Sequence, residues 1–114
     1  MAKGDYLGEF EQLVLMAVMR LGAGAYGMTV RREIEANSGR SISLGAIYAT
    51  LDRLEDKGFV SSALGEATAE RRGRAKRFFK VQASGITALR NALATLDRMR
   101  MGIKELAQPI GAES

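Results

Sequence analysis

The hydrophobic rhythm of this chain changes at Gly58 and returns to a helical period only near Ala83, and that interruption limits the folds open to it. Before Gly58 the apolar residues recur at three- and four-residue steps, the period of a helix that buries one face. Phe10, Leu13, Val14, Ala17, Val18 and Leu21 set a first helix over 9–21. Gly22, Ala23 and Gly24 stop it, since glycine takes the left-handed backbone that helix ends favour. Met28, Val30, Ile34 and Ala36 set a second over 27–37, closed by Asn37, Ser38 and Gly39. Leu44, Ile47, Leu51 and Leu54 set a third over 44–57. Ser43 stands where a hydroxyl can accept from an unpaired amide of its first turn, and Gly58 where a glycine closes a helix. Beyond Gly58 come two short stretches, 59–64 and 77–81, rich in branched and aromatic residues, which read as strands.

Between those strands lies a segment too long for a tight turn and unusual in its charge. From 66 to 80 there are six bases (Arg71, Arg72, Arg74, Lys76, Arg77, Lys80) against two acids (Glu66, Glu70). The excess equals the formal net charge of the whole chain, +4, so the remaining residues balance. A basic segment of this kind is an electrostatic footprint for a polyanion, or else a solvated charged loop.

The rest of the composition excludes more than it selects. The chain has no His and no Cys, which removes the commonest neutral-pH bases and nucleophiles and the preferred ligands of transition metals. No enzyme, cofactor or metal site is expected. At 114 residues one domain fits. No apolar run approaches the roughly 20 residues a membrane helix needs, no leader pattern is present, and a cytoplasmic location is expected.

The last apolar pattern begins near Ala83. Ile86, Leu89, Leu93 and Leu96 recur at three- and four-residue steps, and Met99, Ile103 and Leu106 continue the pattern after a small shift. A continuous helix of ~24 residues would be ~36 Å long, more than a domain this small covers with its own core. Leu89, Leu93, Leu96, Met99, Ile103 and Leu106 are therefore expected to meet a second copy of the chain.

Three helices, a two-stranded wing with a basic tip over 65–76, and a terminal helix give the order of a winged helix-turn-helix. The expected fold class is mainly α with a small two-stranded β-wing. The expected division is a DNA-binding unit over 1–82, a dimerisation helix over 83–108 and a tail over 109–114. In this geometry the third helix enters the major groove of duplex DNA. Gly45, Ala46, Tyr48 and Ala49 would face the bases, with Arg53 reaching phosphate, and Ser41 and Ser43 flanking a helix N-terminus that favours anions. Each has a plainer reading: Tyr48 as a core aromatic, Arg53 as a surface ion pair with the nearby acids.

Ala25 to Gly85 resembles the PadR family of bacterial regulators. The matching pieces are Tyr26-Gly27, the run Gly45-Ala46-Ile47-Tyr48-Ala49-Thr50-Leu51, the run Arg53 to Val60, the run Arg72 to Val81, and Gly85. The resemblance implies a homodimeric transcription factor, usually a repressor, in which Tyr48 and the wing bases Arg72, Arg74 and Lys76 touch DNA; Arg71, in the same basic segment, is a further candidate. Ala49 departs from the proline the family often has there. The single final helix resembles the family's short subgroup. Some short members hold planar aromatic compounds between subunits, and Phe10, Met16, Met19 and the final helix are the residues that would line such a pore. A winged-helix module that binds protein is the remaining alternative, and the basic wing argues against it.

Overall fold

A computed structural model describes residues 6–65 and 75–107. Four helices and one hairpin follow in chain order: α1 (Glu9–Leu21), α2 (Gly27–Ser38), α3 (Leu44–Asp56), β1 (Val60–Leu64), β2 (Arg77–Val81) and α4 (Ala83–Arg100). β1 and β2 pair antiparallel, Val60 opposite Val81 and Leu64 opposite Arg77. This is a winged helix-turn-helix, and the fold class matches the expectation.

The apolar stripes of α1, α2 and α3 meet in one core. Val14, Leu15, Val18, Val30, Ile47, Leu51 and Leu54 are fully buried, and Phe59, Val60 and Phe79 close the core from the wing. Ser43 caps α3, its Oγ accepting from the Ala46 N–H at 3.1 Å. Gly58 (φ 80°) takes the left-handed turn that leads α3 into β1. The segment before α2 acts as a third, minimal strand: Tyr26 forms an antiparallel bridge with Phe78, and the Phe79 N–H donates to the Ala25 carbonyl at 2.8 Å.

α4 docks through a glycine. A Cβ on Gly85 would overlap the carbonyl oxygen of Phe59 and stand 3.0 Å from Val81 Cγ1. The helix backbone thus lies directly on the start of the wing, where no side chain fits.

The final helix differs from its expected length. It ends at Arg100, not near Leu106, and its 18 residues span about 27 Å. Met101 is extended (ψ 133°) and Gly102 has φ 82°, so the chain turns away before a short 3-10 turn at Lys104–Leu106. Periodicity carried the expected helix across Gly102, because Met99, Ile103 and Leu106 keep a helical spacing whatever the backbone between them does. Leu89 is also relocated: it is 5% exposed and belongs to the chain's own core, with Leu93 packed half-buried beside it. Leu96, Met99, Met101, Ile103 and Leu106 are exposed. Among the described residues no helix is long and apolar enough to cross a membrane.

Candidate nucleic-acid interface

The surface of α3 is built from small side chains at its start. Ser41, Ser43, Gly45, Ala46 and Ala49 are exposed. A Cβ on Gly45 would meet nothing within 4 Å, so nothing inside the fold calls for glycine there. Gly27 is the opposite case. A Cβ on it would overlap the hydroxyl end of the Tyr48 ring. Tyr48 is half-buried and packs on the core, in keeping with its plainer reading as a core aromatic.

Charge on α3 is largely settled within the molecule. Glu11, on α1, is 7% exposed and accepts from Lys57 Nζ at 2.9 Å and Arg53 Nε at 3.2 Å. It also accepts from the Gly8 N–H at 2.9 Å, which caps α1. Burial alone would raise its carboxyl's pKa. The Gly8 amide, Lys57 and Arg53 outweigh that and hold it below the usual carboxylate range. Arg53, expected as a phosphate ligand, is thus engaged with a buried carboxylate and with Thr50 Oγ1 at 3.3 Å. Its side chain is still 52% exposed, so the remaining donors face solvent.

Arg77 is likewise turned inward. It donates to Asp52 Oδ1 at 2.9 Å and to Glu55, and Glu55 also accepts from Ser62 Oγ at 2.8 Å. The Ser62 hydroxyl and Arg77 together hold the Glu55 carboxyl below its usual range against a small desolvation cost. One base of the +4 segment is therefore shared between two acids of α3. Lys80 is exposed with no carboxylate partner among the described residues. Lys76 contacts the Tyr26 hydroxyl at 3.0 Å. Arg71, Arg72 and Arg74 lie outside the described residues.

The ion pairs carrying this arrangement were legible in part. Glu11 falls on the buried stripe of α1 with Val14, Leu15 and Val18, and an acid on an apolar stripe is a signal for a partner across the core. Asp52 and Glu55 are three residues apart on α3 and face the same strand. No sequence period connects either acid to Arg77.

The residues named for a pore between subunits lie in different surroundings within one chain. Met19 lines a groove of about 650 Å³ with Val18, Ala23, Phe78, Val81 and Ile86, whereas Phe10 and Met16 pack half-buried on the core.

Comparison with known proteins agrees with this architecture. The model of the transcriptional regulator PadR-like family matches residues 14–91. No curated protein sequence matches the chain. Among solved structures, a PadR-like transcriptional regulator from Bacillus cereus is 16% identical, covering 88% of this chain and 92% of its own, at a TM-score of 0.68. A transcriptional regulator from Clostridium thermocellum is 18% identical over 86% of this chain and 89% of its own, at 0.67. The Orc1 protein of Aeropyrum pernix, solved in complex with DNA, is 21% identical over 84% of this chain but 27% of its own, at 0.64. At these identities the likeness is one of fold.

Proposed function

Because the chain belongs to the PadR-like family of transcriptional regulators, and so is a DNA-binding regulator, we infer that it acts as a homodimeric repressor on a pseudo-palindromic operator. α3 enters the major groove with its small-residue face, Gly45, Ala46 and Ala49, against the base edges, and Tyr48 at the groove wall. The wing bases Arg71, Arg72, Arg74 and Lys76 hold the phosphate backbone and supply most of the affinity. Arg53 contributes less than its position suggests, because Glu11 has already claimed its Nε.

The observation that carries this reading is the open space at Gly45. Glycine in a helix costs about 0.5–1 kcal/mol against alanine, and this fold gains nothing internal from it. A second macromolecule that must approach the backbone closely accounts for the residue.

Dimerisation follows from the end of α4. Leu96 is 55% and Met99 72% exposed on a helix whose earlier turns are packed, and the apolar surface continues through Met101, Ile103 and Leu106. A second copy related by a two-fold axis covers this surface and sets two α3 helices about 34–36 Å apart, one turn of B-DNA.

Selecting bound sequences from random duplexes tests the reading. The expected product is an inverted repeat with half-site centres about 10 bp apart. Enrichment of a single unrepeated site, or no enrichment, would overturn it.

A further inference from the structure

Lys76 differs from the bases around it in what holds it. Arg53 and Lys57 are matched by Glu11, and Arg77 by Asp52 and Glu55. Lys76 has no carboxylate partner among the described residues. Its Nζ donates to the Tyr26 hydroxyl at 3.0 Å and lies 4.2 Å from the centroid of the same ring.

The ring is itself clamped. Lys76 and Phe78 are two residues apart in extended chain and so share a side of the hairpin. Tyr26 lies across both, edge-to-face with Phe78 at 5.4 Å between centroids and 72° between planes. The backbone bridge between Tyr26 and Phe78 fixes the spacing. On the far side the Gly65 N–H donates to the Lys76 carbonyl at 2.7 Å, and a Cβ on Gly65 would stand only 2.6 Å from Phe78 Cε2. Lys76 therefore sits at the hydrogen-bonded root of the basic segment, and Tyr26 immediately precedes Gly27, on which Tyr48 of α3 rests.

We propose that Tyr26 is a positioning residue for DNA binding, which holds the Lys76 ammonium at the wing root, charged and pre-oriented, to meet a phosphate beside α3. The assignment rests on the DNA-binding reading above. A carboxylate in the place of Tyr26 would neutralise the lysine and would have to be displaced by the phosphate. A phenol does neither. It takes one of the three ammonium donors, and the ring face attracts the cation without cancelling its charge. The rotamer freedom that a lysine loses on meeting a ligand is lost on folding instead.

The test is a double-mutant cycle on the full chain, read by fluorescence anisotropy with a short random-sequence duplex at low salt. Tyr26→Leu removes ring and hydroxyl and is expected to weaken binding about two- to tenfold, the cost of ordering a long side chain that is then met on binding. Tyr26→Phe keeps the packing, so it also reports if the leucine variant does not fold, and is expected to weaken binding about twofold through the lost charged hydrogen bond. Both losses should vanish when Lys76 is already Ala, because no ammonium remains to be held. Equal losses with and without Lys76, or no loss from the variants that fold, would overturn the assignment and leave the DNA-binding reading intact. Failure of the unmodified chain to bind any duplex defeats both.

Discussion

Glycine has three different causes in this chain, and separating them distinguishes fold from function one residue at a time. At Gly58 and Gly102 the backbone is left-handed. At Gly85 a side chain would strike the Phe59 carbonyl, a backbone atom that cannot swing aside. At Gly45 neither reason applies. Gly85→Ala should therefore destabilise the protein by about 1–3 kcal/mol, as overpacking does. Gly45→Ala should leave stability unchanged or raise it by up to about 1 kcal/mol while weakening binding to the selected operator. Urea denaturation and operator binding, measured on both variants, check this. A Gly45→Ala protein that binds its operator as before would remove the main support for close backbone approach.

Glu11 gives the residue scale a pH signature. Its carboxyl is held below 4.5 in the folded chain, so the unfolded chain takes up its proton first as pH falls. The stability this contributes is fully present above about 4.5, and is lost as pH drops through the lower folded value. Glu11→Gln should cost about 2 kcal/mol near neutral pH, the worth of charged hydrogen bonds. The gap between the two proteins should narrow steadily below that carboxylate range. A gap that does not change with pH would mean that Lys57 and Arg53 do not recognise the charge.

At the scale of elements, what could be read beforehand was whatever a local period or cap encodes. α1 over 9–21 and β2 over 77–81 match their expected bounds, because each is bracketed by residues that end it: Gly22 after α1, and for β2 the return to helical spacing. α3 was legible from Ser43 to Gly58 for the same reason. α4 was not, since a left-handed glycine inside an otherwise helical spacing leaves no trace in hydrophobic period. The contacts that tie elements together were hidden too. Arg77 looked like one base among six until β2 was laid beside α3, and Tyr26 looked like part of a helix start until its ring was found on Lys76 and Phe78. Such pairs, 25 and 50 residues apart in sequence, depend on topology and not on spacing.

Among the described residues the end of α4 carries an uncovered apolar surface, and its location follows from the shortened helix. The turns that hold Leu89 and Leu93 are spent on the chain's own core, so the proposed interface would begin at Leu96 and run into the turn beyond Gly102. Replacing Leu96 and Met99 together by Glu should give a folded monomer, because neither side chain supports the core. Sedimentation velocity, with thermal melting as the control for folding, would show this. A dimer that survives both charges would place the interface elsewhere.

On the proposed function, affinity comes from wing cations on phosphate while α3 supplies fit. The salt dependence of duplex binding tests it most directly. For random-sequence duplex, log K should fall linearly with log salt concentration, with a slope of about −0.9 for each phosphate neutralised. Replacing Arg72, Arg74 and Lys76 by Ala should flatten that slope by nearly the same amount per lost contact. A slope that the three substitutions leave unchanged, or binding indifferent to salt, would contradict the account.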